Sequence, residues 1–394
     1  MRDRRVDPEI PTASVTLTLF LGALLRLPSL LQIQGETARR AWQHLIGLQR
    51  PISDDCLGYT LQRYELEDLR GVLVRTNRRL KENKQLESAK IGGLLVVALD
   101  ANEQFKSRSR CCEACCQRKI EETGEDGTKR EVIEYYHRQV YAHLGGPRFS
   151  VILDLETIRP GEEEAAAALR LLGRMRRLYG PRFFDAVTVD AWYTKGPFLA
   201  AVQKLGWGVV TVLKQERFDV YKESTALMKE SPPQKFTRAE RTVELREVRD
   251  LKFTECEGSV RVVAAEEQWR AFVRRGDKKV AEAKKAEWRW LVTEELDGCS
   301  MEQIWQVGHR RWGIENHVFN ELTQHYHLEH CQCHEPTAIL ARLLILVLAM
   351  NLFELFARLH GKLVREGKAT LQQIFRQMDL ALERWEELKP LWSG

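Results

Sequence analysis

The chain has 394 residues, of which 44% are hydrophobic and 30% are charged, and its formal net charge is +5. This composition excludes a disordered chain or a small disulfide-stabilised domain, and it allows two or three domains of roughly 150 residues each. The mild positive charge permits nucleic-acid binding without requiring it. Nine cysteines, four of them within residues 111–116, favour reduced thiols or metal ligation, so we expect a reducing cytoplasm.

Two apolar stretches have to be distinguished from membrane segments. Residues 15–31 are interrupted by Arg26, and no small-residue cleavage site follows them. Residues 338–357 contain Arg342 and Glu354, which are costly in a bilayer. We therefore expect a buried core helix in the second stretch and no membrane partner.

The apolar periodicity of residues 1–88 predicts a helical N-terminal domain for DNA binding or dimerisation. From residue 91, short apolar runs bounded by turn residues predict strands instead. The predicted elements are strands at 94–99, 132–142 and 149–158, a helix at 162–179, a strand at 184–189, a helix at 197–205 and a strand at 207–213. This order is the layout of an α/β fold with a ribonuclease-H-like mixed sheet flanked by helices, although many α/β domains share parts of it.

Residues 215–298 alternate apolar and polar positions and predict antiparallel strands, which we interpret as a β-rich insertion subdomain. It divides the α/β core into a first part, 89–214, and a second part, 299–394. The second part contains a predicted helix at about 300–326, a Cys/His-rich loop, the long apolar helix and a closing helix at about 368–387.

Asp100 and Asp190 each end a predicted strand, in VVALD and VTVD. An acid directly after a buried parallel strand stands at the carboxyl edge of the sheet, where α/β proteins build their sites. Two neighbouring carboxylates need cations, and oxygen ligands select Mg²⁺ or Mn²⁺. The alternative for either residue alone is a turn position, which Asp often occupies.

Glu315 is the candidate third carboxylate, on the predicted helix at 300–326. It shares a helical face with apolar residues such as Trp312 and Phe319, which is unusual for a solvated acid. Arg311, one turn earlier, can pair with Glu315 or contact phosphate.

These residues carry a family resemblance. The segments RRWGIENHVFNELTQHYHLEHCQCHEP, LDANEQFKSRSRCCEACCQRK, YYHRQVYAHL and VTVDAWYTKGPFL resemble the DDE transposases of bacterial insertion sequences, in the branch with a β insertion before the Glu helix. The resemblance covers about residues 50–360 and implies a metal-binding triad of Asp100, Asp190 and Glu315.

A related subgroup has the signature Y-x2-R-x3-E-x6-K, which this chain matches only in part. Arg311 and Glu315 match it, but the tyrosine position is Gly308 and the lysine position is Leu322. Phosphate contacts by that Tyr and Lys are therefore not expected here, whereas the triad is untouched.

The resemblance implies two Mg²⁺ (or Mn²⁺) ions, which would activate water or a 3′-hydroxyl and stabilise the leaving oxygen of a phosphodiester. The same site could then cut transposon ends and join them to target DNA. Asp154 and Glu156, on the third predicted strand, are rival acids.

The Cys/His clusters have zinc-ligand spacings, Cys112-x2-Cys115 after the first strand and His330-x3-His334 after the Glu helix. Together they predict one structural Zn²⁺ site, and similar pairs in the family that the chain resembles favour it. Cys331 or Cys333 could replace either His, and the alternative is a set of reduced thiols and surface imidazoles.

Basic residues flank both aspartates and suit a polyanionic substrate, although any one of them alone could be a solvated surface charge. The candidates for DNA contact are Arg108, Arg110, Lys195 and Arg311. Trp288, with Trp269 and Trp290, could stack on an unpaired base or could instead fill a sheet face.

The sequence therefore predicts a DNA transposase of the bacterial cytoplasm, associated with the nucleoid, which acts on double-stranded DNA as a homodimer when DNA-bound. One alternative is a related metal-dependent nuclease or domesticated transposase without strand transfer. Another is a non-enzymatic, zinc-stabilised DNA-binding protein.

Overall fold

The computed structural model describes residues 2–123, 127–238, 240–275 and 278–360, together with isolated positions between 366 and 384. The closing helix predicted at about 368–387 lies outside these ranges.

The first 90 residues form helices, as their apolar periodicity predicts. They are α1 (Thr12–Leu24), α2 (Leu30–Thr37), α3 (Arg40–Ile46), α4 (Asp54–Leu61) and α5 (Leu66–Glu82). Ser29 and Ser53 begin α2 and α4 as N-caps, since each hydroxyl accepts a hydrogen bond from a backbone N–H three residues later. The buried residues of these helices share one hydrophobic cluster with residues from the C-terminal part of the chain.

Ten described strands form one mixed sheet, with three helices between them. In chain order these are β1 (Val96–Ser107), β2 (Cys116–Thr123), β3 (Lys129–Gly145), β4 (Ser150–Thr157), α6 (Glu164–Tyr179), β5 (Ala186–Val189), α7 (Gly196–Lys204), β6 (Gly208–Val212), α8 (Asp219–Leu227), β7 (Gln234–Arg238), β8 (Arg241–Leu251), β9 (Val260–Arg275) and β10 (Lys278–Thr293).

The centre of the sheet has the predicted ribonuclease-H-like order β4-β3-β1-β5-β6. β1, β5 and β6 are parallel, whereas β3 and β4 run antiparallel to their neighbours. One face is covered by α6 and α7 and the other by the N-terminal helices and the C-terminal part of the chain.

Three elements differ from the sequence-based expectations. β1 does not end at Leu99 but runs through Asp100, because the polar residues after Leu99 keep pairing with β3 as far as Gln104. β2 was not predicted, because charged residues dominate its alternating buried and exposed positions. α8 was not predicted either, because it lies within the segment that was expected to be β-rich.

The strands β7–β10 are antiparallel, as expected of residues 215–298. They also extend the central sheet, because β10 pairs with β6 between Trp290–Val212 and Val292–Val210. The insertion is thus attached to β6, which separates it from β5, the strand that precedes Asp190.

The chain after β10 forms α9 (Met301–Arg310), a π-helical segment from Ile314 to Phe319, α10 (Asn320–His325) and α11 (Pro336–His360). By length and composition α11 could span a membrane, but it packs against α1, α5 and β4. Its Asn351 side chain bonds the backbone N–H and C=O of Ile152 at 2.9 and 2.8 Å. α11 is therefore the buried core helix that the sequence predicts.

Candidate active site and metal centre

Asp100 and Asp190 lie beside each other on neighbouring parallel strands. The pairing of β1 with β5 reaches Ala98 and Thr188, and each acid follows two residues later. Because alternate residues of a strand share a face, Asp100 is on the face of Ala98, which packs in one cluster with residues of the 314–319 segment. Asp100 therefore faces the part of the chain that carries Glu315, and Asp190 lines a cavity together with Arg311.

Glu315 is held by the π-helical segment between α9 and α10, a conformation that is rare and frequent at functional sites. Arg311, which is only 7% exposed, connects this segment to the sheet. Its Nη1 donates to Glu315 Oε1 at 2.8 Å and to Asp100 Oδ2 at 3.4 Å. The third acid is thus tied to the first through one guanidinium.

Asp190 is oriented by the backbone that follows it. Its Oδ1 accepts a hydrogen bond from the Trp192 N–H at 2.9 Å and caps a short 3₁₀ turn, Ala191–Tyr193. The Thr211 hydroxyl, on β6, donates to the Asp190 carbonyl at 2.9 Å. These bonds hold the carboxylate at the end of β5.

Negative charge is concentrated at this edge. The pKa of Asp100 is raised to about 7, mainly by burial; the Glu315 carboxylate raises it further, and Arg311 opposes the shift. Burial and the adjacent Glu164 carboxylate raise the pKa of Tyr193 well above its ordinary value, and both aspartates contribute. The charges of Asp100 and Asp190 therefore both raise the pKa of the same buried residue, Tyr193.

The donor chemistry fits a hard divalent cation, because all three acids offer carboxylate oxygens. A cation here would offset the burial that disfavours ionisation of Asp100. The ligand atoms of Asp100, Asp190 and Glu315 are not all within 4.8 Å of one another. In this arrangement Arg311 supplies positive charge between the first and third acids.

The rival acids have structural partners instead. Asp154 is fully buried, and its two oxygens accept from Arg70 at 3.0 Å and Arg174 at 2.8 Å. Glu156 pairs with Arg170 at 2.9 Å and also with Arg174. These two acids therefore connect β4 to α5 and α6.

An aromatic cluster adjoins Asp190. Trp288 packs edge-on against Trp312, with ring centroids 4.7 Å apart, and lies parallel to Trp290. With Asp190 and Arg311, these rings line a cavity of about 80 Å³. Trp290 is buried, whereas Trp288, which lines the same cavity, is partly exposed. The third candidate ring, Trp269, is covered by the guanidinium of Arg241 at 4.1 Å from its centroid.

A Cys/His cluster lies where the loop between β1 and β2, together with β3, meets the loop after α10. Cys112, Cys115, His137 and His334 form the one group of at least three such residues, among those the structure describes, whose ligand atoms all lie within 4.8 Å of one another. The two Sγ atoms are 3.7 Å apart and the two Nε2 atoms 3.1 Å apart. The Sγ–Nε2 separations of Cys112–His137, Cys115–His137 and Cys115–His334 are 3.3–3.5 Å.

These separations match tetrahedral zinc. Zn–S bonds of about 2.3 Å and Zn–N bonds of about 2.0–2.1 Å place ligand atoms roughly 3.3–3.8 Å apart in a tetrahedron. Burial lowers the pKa of His137 to about 4, which keeps its imidazole neutral and able to ligate. Burial raises the pKa of Cys115 to about 11, so metal binding there would displace a proton.

The structure brings together three of the four predicted zinc candidates and replaces the fourth. His330 is exposed and outside the cluster, and its place is taken by His137 on β3. His137 lies two strand positions before Gln139 in YYHRQVYA, with no ligand-type spacing to a second Cys or His. Only its pairing opposite Gln104 brings it over the cysteines.

The predicted DNA-contacting side chains are placed differently. Arg110 is exposed, and Arg108 is exposed but paired with Glu122. Lys195 pairs with Glu163 at 2.6 Å and lies 5.6 Å from the centroid of the exposed Trp192 ring. Arg311 is in the carboxylate site itself. Trp192 is a further exposed ring beside Asp190 that the sequence analysis did not single out.

The ribonuclease-H-like sheet, with two aspartates on adjacent parallel strands and a glutamate on the covering helical layer, places the chain in the class of ribonuclease-H-like α/β proteins. The model of the family described as transposase DDE domain matches residues 116–352, more than half of the chain. The chain belongs to this family. The matched region contains Asp190 and Glu315 and begins after Asp100. A search of the curated proteins found no match.

Proposed function

We propose that this protein is a DNA transposase that cuts transposon ends and joins them to target DNA. The observation that carries the proposal is the joining of Glu315 to Asp100 through Arg311, beside Asp190, in a chain of the DDE family. The Glu315 side chain is 46% exposed, but independent surface acids would not meet at one edge of the sheet with two of them on one guanidinium.

Asp100, Asp190 and Glu315 would hold two Mg²⁺ or Mn²⁺ ions. When bound, these ions supply activation of a water or 3′-hydroxyl and stabilisation of the leaving 3′-oxygen. The carboxylates act as ligands rather than as proton carriers. Arg311 orients Glu315, and the Trp192 N–H orients Asp190.

The surroundings of the acids suit a polyanionic substrate. Arg110 and Lys195 would contact phosphates near the site. Trp288 would stack against a base or sugar in the cavity beside Asp190, because its ring lines that cavity.

A structural zinc ion is the second metal of the proposal, held by Cys112, Cys115, His137 and His334. The tetrahedral spacing of the four ligand atoms supports it. Such a zinc would fix the β1–β2 loop and β3 against the loop that follows α10. Its role would be to hold β1, which carries Asp100, in place relative to the helical segment that carries Glu315.

The partners follow from the reaction. The substrate is double-stranded DNA, both transposon ends and target, and pairing two ends calls for a homodimer in the DNA-bound state. We place this activity in the bacterial cytoplasm, at the nucleoid.

The proposal is tested with DNA that carries the gene's own flanking sequence, in Mg²⁺ or Mn²⁺. Wild-type protein should cleave the ends and join them to a second duplex, and Asp190→Asn should abolish both products. Asp219→Asn is the matched control, because its side chain is 99% exposed on α8.

Each other outcome selects a different function. Cleavage without joining would favour a nuclease or a domesticated transposase. DNA binding without products from wild-type protein or from either variant would favour a non-enzymatic, zinc-stabilised DNA-binding protein.

A further inference from the structure

The longest hairpin of the insertion projects beyond the rest of the sheet. β8 pairs with β9 only as far as Thr242–Gln268. From Gln268–Lys285 onward, β9 and β10 pair with each other as far as Arg275–Lys278. We call residues 268–285 the arm. At ~3.3 Å per residue, its seven steps along β9 span about 23 Å.

The arm concentrates the positive charge of the protein. It contains seven Lys or Arg and two acidic residues, a net charge of +5, which equals that of the entire chain.

The arm also exposes apolar side chains, although a two-stranded ribbon is only marginally stable by itself. Phe272 is 74% exposed and Val280 is 42% exposed.

One face of the arm has the composition of a DNA-binding surface. Cross-strand partners share a face, so Arg270 lies with Ala283, Phe272 with Ala281, and Gln268 with Lys285. Arg274 belongs to the same face by alternation, and no acid lies among these residues. The alanines opposite the long side chains leave room for a close approach.

The arginines of this face are available for an outside partner. Arg270 and Arg274 are exposed, and neither forms an ion pair among the described residues. Lys284, on the opposite face, is by contrast paired with Glu282 at 3.0 Å. Two exposed, unpaired guanidiniums on either side of an exposed aromatic ring match a polyanion with apolar sugar and base edges.

The arm begins at the candidate active site. β10 leads from Lys285 through Trp288, which lines the cavity shared with Asp190, to the pairing with β6. A duplex whose end lies at Asp190 could therefore continue along the arm. A two-stranded β-ribbon fits the major groove of B-DNA, and ~23 Å covers about two thirds of a helical turn of ~34 Å.

We propose that the arm binds duplex DNA next to the cleavage site, with Arg270 and Arg274 on phosphates and Phe272 against the groove. This inference rests on the proposed function for its ligand, but it concerns binding and not the chemical step. It assigns a DNA contact to the outer part of the β9–β10 hairpin.

The test measures the affinity for a duplex by fluorescence anisotropy over a series of salt concentrations. Arg270→Ala with Arg274→Ala should reduce the slope of log K against log salt by about 1.8, at ~0.9 per phosphate contact. Lys204→Ala with Lys222→Ala is the control, because it removes two charges at positions 67% and 64% exposed and should leave the slope unchanged. Phe272→Ser should weaken binding and leave the slope unchanged.

The failure of the arm and the failure of the proposed function give different results. Wild-type binding with an unaltered slope in the arginine variant would overturn the inference and leave the transposase proposal standing. Wild-type protein that binds no DNA would overturn both.

A second variant replaces residues 269–284 by Asn-Gly, which can close the directly paired Gln268 and Lys285 as a two-residue turn. Weaker DNA binding with an unchanged oligomeric state is expected. Conversion of a DNA-free dimer to a monomer, with unchanged DNA affinity, would make the arm a contact between copies of this chain and would overturn the inference.

Discussion

Arg311 is the cation shared by two of the three site carboxylates, and its removal should expose their repulsion. Arg311→Gln leaves Asp100 and Glu315 facing each other without a positive charge, at a cost of roughly 1–3 kcal/mol in the free energy of unfolding. Excess Mg²⁺ should recover part of this loss, so that Mg²⁺ raises Tm more in the variant than in wild-type protein. Thermal unfolding with EDTA and with Mg²⁺ measures the difference.

The neighbouring arginine provides the control for this experiment. Arg310 donates to the Gly146 carbonyl and contacts neither carboxylate. Arg310→Gln should lower Tm without enlarging the Mg²⁺ effect. Equal Mg²⁺ shifts in wild-type protein and in Arg311→Gln would show that Arg311 does not compensate the carboxylates.

His143 should make the protein sensitive to acid. It is 2% exposed on β3, and neither ring nitrogen has a hydrogen-bond partner among the residues that the structure describes. Burial lowers its pKa to about 3, with His317 and Arg310 contributing. The unfolded chain takes up this proton near pH 6.5, so the folded state loses stability as pH falls from there toward 3. At pH 5 the loss amounts to about 2 kcal/mol.

Unfolding by denaturant at pH 7.5 and at pH 5 tests this effect. His143→Leu should lose about 2 kcal/mol less than wild-type protein between the two pH values. His44→Leu, at an exposed position of α3, should behave like wild type. If His143→Leu shows the same acid loss as wild type, His143 is not the group responsible.

At the scale of elements, the Cys/His cluster connects the β1–β2 loop and β3 to the loop before α11. We expect one zinc per chain by metal analysis, lost in Cys115→Ser and in His137→Ala. Chelation of the zinc should lower Tm, because metal binding stabilises only the folded arrangement.

His330→Ala is the discriminating control, since this exposed residue has the same chemistry and lies outside the cluster. It should retain zinc and the Tm of the wild type. Loss of zinc in His330→Ala together with retention in His137→Ala would instead support the ligand set that the sequence spacing predicts.

The bounds of an element can be predicted accurately when its own residues show which side is buried. α6, α7, β5 and β6 were predicted near their observed bounds, because apolar periodicity and turn residues delimit them locally. β2 escaped prediction because its exposed, charged residues form a strand only by pairing with β3. The predicted helix at 300–326 is divided at Arg311, where the chain changes to the π-helical segment that carries Glu315.

At the scale of the whole molecule, the insertion and the α/β core are one sheet. The β10–β6 pairing joins them and brings Trp288 to the cavity beside Asp190. The N-terminal helices likewise share buried residues with α11 and the Glu315 segment. Segments that look separate in sequence therefore build one site, with the arm extending from it.

The sequence by itself determined the order of the core elements β1, β3, β4, α6, β5, α7 and β6, and it singled out Asp100, Asp190 and Glu315 as candidates. Local periodicity and the position of an acid after an apolar run are properties of neighbouring residues, so they can be read from the chain. Only the tertiary structure decided that Arg311 links two of the acids. It also decided that Asp154 forms ion pairs with Arg70 and Arg174. Finally, it placed His137 rather than His330 beside Cys112, Cys115 and His334. These contacts join residues far apart in sequence, through strand register and helix packing that the folded chain alone establishes.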